Sequence, residues 1–531
     1  MAVVSSELPF ARTPEEVGVS SAKMLEMTEE MKRTECHGFM VIRHGKIAAQ
    51  WFRKPYSAVL PHAMYSVSKS ISSIAIGFAV SEGLLSLSDR VVDFFPDAVP
   101  PSCDGNLKKV TLAHLISLTA GRKISPLTSK VKNDWIDIFM RSESEYEPGE
   151  KFSYVNENFH MALAMLRKVT GISTVEYLTP RLFEPLGIPA PFWESDRNGV
   201  EAGGWGIVLS PTDLAKIALC FMNDGRYDGR QVIPSEWIEQ ASVNHKGPKA
   251  KPQSKHNFGY GYGVWIRDAE ESLIRFDGLF GQVAEIYKKY DAVTVIVGGD
   301  VKVDNRTVMF KYFPESFVDE QPDAEPTKGF ESELCDTEYE PVYSEYRSPL
   351  ESEINNGRIT FGKKRLLDLL GFPLSVLPAT STFMSKNKAG NITDVSFVFK
   401  QNTVSFSWSE GNEKNRIECG LDGQWSRSEM RLADAPYTSF ASAAWKDRST
   451  LELVIRPLEC VCARKLTFTF SGNRVKMKPV CDPPIDSILG GVRGLLKAFI
   501  KSEATVDRIL EWGKKHIEPV HRGRIRKNGR E

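Results

Sequence analysis

Met64-Tyr65-Ser66-Val67-Ser68-Lys69-Ser70-Ile71-Ser72-Ser73-Ile74-Ala75-Ile76-Gly77-Phe78-Ala79 is the stretch on which the reading of the fold turns. Ile71, Ile74, Ala75 and Phe78 recur at helical spacing, which predicts a helix over Ser70–Glu82 that Gly83 stops. So apolar a helix belongs in the middle of a domain. Ser66 stands at its entrance, and Lys69 follows one turn later on the same face. A serine hydroxyl is a weak nucleophile at neutral pH. A lysine held within reach and partly desolvated can take its proton. A helix N-terminus adds N–H donors for a developing oxyanion.

Ser-x-x-Lys is a cheap pattern. It occurs four times: Ser20/Lys23, Ser66/Lys69, Ser129/Lys132 and Ser385/Lys388. Ser20 or Ser21 reads better as the N-cap of a charged helix. Ser129 lacks an apolar helix behind it, and Ser385 lies in a polar loop before Gly390. Only Ser66 leads into a central helix. A second element supports it. Phe152-Ser-Tyr154-Val-Asn156 follows the turn-rich Glu147-Pro-Gly-Glu-Lys151 and precedes a helix over Asn158–Val169. There Tyr154 can exchange a proton with a lysine, and Asn156 can hold that lysine or a substrate carbonyl. The plainer alternative is a core tyrosine beside an Asx-turn.

Outward from these motifs the texture changes twice. Residues 10–316 alternate helix-like and strand-like segments. Phe39–Trp51 reads as two strands around His44-Gly45, Leu214–Met222 as a helix, and Leu273–Phe276, Ala284–Tyr287 and Val293–Val297 as further strands. Residues 317–375 read as an acidic linker, since Phe317–Glu340 holds nine acidic residues against Lys328. Residues 376–481 read as a small all-β domain, a barrel or sandwich, with Val395–Phe399 and Val404–Trp408 as a hairpin around Gln401-Asn402. Residues 482–531 read as a C-terminal helix, Ile485–Ile517, and a basic tail carrying Arg522, Arg524, Arg526, Lys527 and Arg530. The tail reads first as a solvated end, with contact to an anionic surface as the lesser alternative.

The composition bounds the rest. Lys+Arg and Asp+Glu both number 68 in 531 residues, so no global field draws the chain to nucleic acid. No apolar run of spanning length and no signal-peptide pattern is present. The eight cysteines are scattered, and Cys460-Val-Cys462 reads as two buried thiols rather than half a metal site. A cytoplasmic, reducing compartment is expected, with neither metal nor organic cofactor. A homodimer is left open. His62, His114 and His160 read as structural.

Ser66-Val-Ser-Lys69 and Tyr154-Val-Asn156, 88 residues apart, resemble the first two signatures of the class C β-lactamase-like serine hydrolases. That group includes penicillin-recognising esterases, D-stereospecific peptidases and 6-aminohexanoate-dimer hydrolases. Val110–Gly121 is similar to the family's helix before its H-T-S-G turn, with Leu118-Thr-Ala-Gly121 a departure from it. Pro148–Asn156 is similar to its PGxxFxYSN, Glu184–Gly187 to its PLG, and Gly203–Leu214 to its GG…S…DLAR. The resemblance spans about residues 10–316. It implies an α/β (α+β) β-lactamase/transpeptidase-like domain, with an antiparallel sheet flanked by helices and an all-helical subdomain.

The same resemblance implies roles. Ser66 would attack an ester or amide carbonyl of a small-molecule substrate and form an acyl-enzyme. Lys69 and Tyr154 would relay the proton. Asn156 would contact substrate, and the N–H groups of Ser66 and Leu279 would hold the oxyanion. The third signature, Lys-Thr-Gly or His-x-Gly, corresponds to Phe276-Asp277-Gly278-Leu279-Phe280-Gly281-Gln282. Gly278 and Gln282 fit a G-x-x-G-Q variant, glycine at 278 permits close backbone approach, and Gly278, Gln282 and Phe276 are expected among the residues that line the substrate and oxyanion site. Phe276 stands where the family has its basic residue. A carboxylate-bearing substrate would lose a partner worth about 1.5–3 kcal/mol. A small uncharged substrate is therefore expected. Arg275 would point to the opposite face. A non-catalytic penicillin-recognising scaffold and an acyltransferase using the same residues are the alternatives.

Overall fold

The computed structural model describes residues 7–124, 134–246, 259–268, 273–300, 304–335, 337–362, 392–410, 413–432, 435–461, 463–482, 484, 502–518 and 520–526. The chain forms two compact units, Met1–Thr337 and Glu338–Glu531.

The first unit is built on a sheet. Its strands β1 (Cys36–Arg43) and β2 (Lys46–Lys54) are joined at His44 and Gly45, whose φ values of 50° and 72° suit a two-residue hairpin turn. Further along the chain come β3 (Gly259–Tyr260), β4 (Trp265–Asp268), β5 (Leu273–Gly278), β6 (Gln282–Tyr287) and β7 (Ala292–Gly298). These run in the order β2-β1-β7-β6-β5-β4-β3, with antiparallel pairings throughout. Alternate side chains of β1 enter two different cores. Met40 and Ile42 pack with α2 (Ser68–Ser81) and α4 (Pro211–Met222), while Phe39 and Val41 pack with α1 (Ser21–Lys32) and α5 (Asp304–Tyr312). Both faces are covered, which is why β1 reads as a continuous apolar run rather than an alternating one. Short helices between residues 91 and 183, with α3 (Glu157–Thr170) the longest, make the helical subdomain.

Local chemistry sets the helix ends. Ser210 caps α4 in a reciprocal box with Asp213, and Pro211 takes the first position, where its missing N–H costs nothing. Gly83, at φ 71°, follows α2, and the Leu84 N–H closes back on the Ala79 carbonyl. Ser20 caps α1, accepting from the Lys23 N–H, so the first of the other Ser-x-x-Lys pairs is a cap. Ser129/Lys132 and Ser385/Lys388 lie outside the described residues.

The acidic stretch differs from a linker. Its first part belongs to the first unit. Val318 N–H donates to Gly18, Lys32 pairs with Glu333 at 3.0 Å, and Phe317 and Phe330 pack with the α1 core. Two aromatic anchors and local cations outweigh a composition that reads as solvated. The second part, from 338, enters the other unit and contributes a strand there.

That unit is a ten-stranded sheet of β8 (Arg358–Phe361), β9 (Ile392–Phe399), β10 (Thr403–Glu410), β11 (Glu413–Gly420), β12 (Ser426–Leu432), β13 (Ala435–Trp445), β14 (Thr450–Pro457), β15 (Ala463–Ser471), β16 (Arg474–Asp482) and β17 (His521–Arg526). The order is β11-β10-β9-β8-β17-β16-β15-β14-β13-β12, and β11 also meets β13 at Gly420↔Ser442, so the sheet curls back on itself like a barrel. Phe397, Phe406 and Phe468 pack together inside it. Arg522, Arg524 and Arg526 of the basic tail lie on a paired strand and not on a frayed end, while Lys527 and Arg530 lie outside the described residues. Residues 521–526 form an inner strand, β17, between β8 and β16. The helix before it, α6, is described over Glu503–Ile517, and residues 485–501 of the expected helix lie outside the described residues.

Candidate active site

Ser66 sits in a 3-10 turn, Tyr65–Val67, that runs directly into α2. Lys69 is 1% exposed. Its Nζ donates to Ser66 Oγ at 3.0 Å, to Asn156 Oδ1 at 2.7 Å and to the Gly204 carbonyl at 2.6 Å. Burial pulls the ammonium down to about 7, against the opposing pull of the Glu157 and Asp277 carboxylates. Three neutral acceptors around one nitrogen fix its position without the carboxylate that would keep it charged.

The serines of α2 support this arrangement. Ser68 donates to the Tyr65 carbonyl at 2.6 Å and accepts from the Ile207 N–H, Ser70 donates to Gly263 at 2.7 Å, and Ser72 donates to Gly203 at 2.9 Å. The small polar residues of an otherwise apolar helix therefore clamp the loops at 203–207 and 263. A methyl at Gly204 would stand 2.7 Å from the Asn156 carbonyl oxygen, so glycine is required where this loop brings its carbonyl to Lys69.

Tyr154 lies on the loop before α3, and Lys69 Nζ is 4.6 Å from its ring centroid. The residue as a whole is 42% exposed, yet its hydroxyl is turned inward to Ser66. The hydroxyl's surroundings, not the residue average, govern its titration. Desolvation pushes the phenol well above its ordinary range, and the Ser66 hydrogen bond opposes this only in part. Tyr154 is thus a protonated phenol at neutral pH, and the lysine is the group nearest to sharing a proton. The loop is clipped to Leu118–Gly121: Ser153 N–H donates to Leu118 and Gly149 N–H to Thr119. The Leu-Thr-Ala-Gly turn departs from the family pattern in sequence and still holds the Tyr154 loop.

The closing strand brings two corrections. Phe276, expected to line the cleft, is fully buried and meets Phe221 of α4 edge-on at 5.3 Å. β5 alternates, and position 276 faces the helix-covered core. Gln282, expected to touch substrate, is also fully buried. Its amide donates to the carbonyls of Leu279, Phe280 and Gly298, so it secures the turn that carries Leu279. Arg275 does face the other way, to Asp277 at 3.0 Å. Gly278 runs against the chain before Ser66: any Cβ there would overlap the Met64 carbonyl oxygen. Leu279 follows, 54% exposed at the cleft end of the strand.

The beta-lactamase family model matches residues 26–304. The chain belongs to that family. A 6-aminohexanoate-dimer hydrolase from Paenarthrobacter ureafaciens is 20% identical over 299 residues, covering 52% of this chain and 75% of that protein. A beta-lactamase from Escherichia coli K12 is 28% identical over 123 residues, which is 23% of this chain and 32% of that protein. Among solved structures, a proposed 6-aminohexanoate-dimer hydrolase from Bacillus anthracis superposes with a TM-score of 0.50 at 20% identity, covering 58% of this chain and 87% of that one. The first unit thus has the β-lactamase/transpeptidase-like fold, followed by the barrel-like all-β unit.

Two features of this family site carry no sequence signal. Tyr65 precedes Ser66 with φ 46°, and Phe280 follows Leu279 with φ 62°. Non-glycine residues reach such angles at a cost of about 1–3 kcal/mol each. The two rings pack edge-to-face at 5.1 Å. Each strained residue thus adjoins one expected oxyanion donor, and they brace each other. Beside them stands an aromatic wall: Tyr154 stacks on Trp265 at 6.1 Å, and Tyr260 meets Trp265 at 4.9 Å. Lys246 Nζ lies 5.3 Å from the Trp265 centroid and 4.9 Å from that of Phe152, with desolvation lowering its charge preference. The histidines are occupied elsewhere. His62 bonds His37 at 2.9 Å, His160 pairs with Asp196 at 3.2 Å, and His114 caps its own helix at Thr111. Among the described residues no group of acidic, histidine and cysteine side chains could hold a metal, and no helix is long and apolar enough to cross a membrane.

Proposed function

We propose that this protein is a serine hydrolase that cleaves an ester or amide bond of a small, uncharged substrate through an acyl-enzyme on Ser66. The observation that carries the reading is Lys69: buried, 3.0 Å from Ser66 Oγ, and drawn down to about 7. A neutral lysine at that distance can accept the hydroxyl proton as Ser66 attacks the carbonyl. The oxyanion develops between the N–H groups of Ser66 and Leu279. Collapse of the tetrahedral intermediate needs an acid, and Tyr154, protonated and in contact with Ser66, supplies the proton to the leaving group. Proton return from Lys69 restores the phenol. Water then attacks the acyl-enzyme with Lys69 again as base, releasing the acid and freeing Ser66.

The uncharged substrate is supported by the wall beside Ser66, which is aromatic. Lys246, the cation on that wall, is half-buried and pressed against ring faces. Lys246→Met is expected to change kcat/KM for a neutral p-nitrophenyl ester by less than about threefold, as a substitution remote from the reacting atoms does. A selective loss on a carboxylate-bearing ester would show instead that Lys246 replaces the missing cation, and the uncharged reading would fail. The seven described cysteines form no disulfide, which supports a reducing compartment.

The function itself is tested by treating the native protein with a fluorophosphonate and mapping the adduct by mass spectrometry. Label on the Ser66 peptide is expected. No label, or label on another serine only, would sink the hydrolase reading. Adding an alcohol or amine acceptor to a turnover assay separates hydrolysis from acyl transfer by product.

A further inference from the structure

The second unit carries an open cleft of about 670 Å³ lined by Arg474, Lys476, Arg522, Arg524 and Arg526, with no acidic residue in its lining. The register makes this unusual. Arg524 lies directly opposite Arg474 and Arg522 directly opposite Lys476 across β17 and β16. On the other side Arg526 faces Arg358, whose charge is taken by Asp394 at 3.0 Å. Facing like charges in a sheet destabilise it. Among the described residues none of the five cleft cations has an ion pair. Thr469 opposite Lys476, and Ser471 opposite Arg474, add hydroxyl donors to the same cleft.

We propose that this cleft binds a compact polyanion bearing several phosphate groups. Period-2 alternation puts Arg522, Arg524 and Arg526 on one face, and their guanidinium forks match phosphate oxygens in pairs. The cleft is concave and of small-ligand size, which suits a compact anion better than a flat bilayer. Five cations without an ion pair among the described residues need several negative charges, more than a single carboxylate brings. The site is independent of the chemistry at Ser66.

The probe is inorganic tripolyphosphate, titrated into the full chain at about 0.15 M salt, where exposed charges are screened beyond roughly 8 Å. Saturable binding at one site per chain is expected. Arg522→Gln and Arg524→Gln should each weaken it about tenfold, the loss of one charge-assisted contact. Lys414→Gln, an exposed cation on β11, should leave it unchanged. Arg524→Gln removes one facing like-charge pair, so the ligand-free variant should melt above the parent while losing the rise in Tm that tripolyphosphate gives. Absence of saturable binding overturns the proposal, as does affinity equal to the parent's in both arginine variants. Sedimentation with phosphatidylglycerol vesicles distinguishes the source. Vesicle binding that needs Arg522 and Arg524 and resists tripolyphosphate would assign the face to a lipid surface instead, and would also overturn the compact-ligand reading.

Discussion

Lys69→Met is expected to lower kcat/KM for a neutral p-nitrophenyl ester by about 10³–10⁴ while leaving a folded protein. Methionine approximates the volume of the lysine stem, so the core around α2 stays filled. What is lost is a group that bonds Ser66 Oγ, Asn156 Oδ1 and the Gly204 carbonyl at once. Lys69→Arg is the sharper comparison. It restores charge and donors but cannot deprotonate at working pH. If Lys69 only positions Ser66, the arginine variant recovers much of the rate. If Lys69 is the base, both variants are inactive. Recovery in Lys69→Arg would overturn the mechanism.

The same group sets the pH dependence. The neutral form of Lys69 is the active one, so kcat/KM should rise as pH increases through about 7. Tyr154 is held protonated by desolvation, so its loss should not limit the rate until strongly alkaline pH. Stability follows with its own sign. The folded-state lysine lies at about 7 and the unfolded one near its ordinary value of 10.5, so between those values the unfolded chain binds more protons. Folding stability from this group therefore rises with pH across that window and is lowest below about 7. Denaturant midpoints measured against pH in the parent and in Lys69→Met should differ in slope there. Equal slopes would show that Lys69 is not depressed.

Much of this was legible in the sequence because it was written in local rules. The Ser66–Lys69 spacing, the capping box of Ser210 and Asp213, and the His44-Gly45 hairpin each depend on residues a few positions apart. The site's pairwise geometry needed only the assumption that Ser66 and Tyr154-Val-Asn156 meet. Three things were not legible. Which face of β5 looks into the cleft depends on tertiary packing, so Phe276 read as a wall although it backs the core against Phe221. Gln282 read as a substrate contact because nothing local announces that its amide turns to the carbonyls of 279, 280 and 298. The backbone strain at Tyr65 and Phe280 has no sequence signature, since both residue types ordinarily avoid positive φ. The basic C-terminus failed for a different reason. Period-2 arginines from 522 to 526 do alternate as a strand, but the charge run outweighed the period in the reading.

Gly278→Val should lower kcat/KM by about 10²–10³, more than its effect on KM for a neutral ester. The position is extended, so conformational freedom is not what glycine supplies there. It supplies space. A Cβ would overlap the Met64 carbonyl oxygen and would stand 3.0 Å from Gln282 Cβ. The first contact is of Cβ with a backbone oxygen, so no rotamer relieves it; β5 must move away from the turn that carries Ser66. Leu279, the next residue, moves with it, and the two expected oxyanion donors separate. An overpacked site of this kind also costs about 1–3 kcal/mol of stability, read as a lowered denaturant midpoint. Gly278→Ala, with the smaller group, should give the same pattern at reduced size, and its fold can be verified independently. The two costs can be told apart. If the valine and alanine variants lose stability but keep kcat, the close approach serves packing alone. If kcat falls in proportion to the size of the added group while fluorophosphonate labelling of Ser66 slows in step, the approach of β5 to Met64 sets the geometry in which the oxyanion is held.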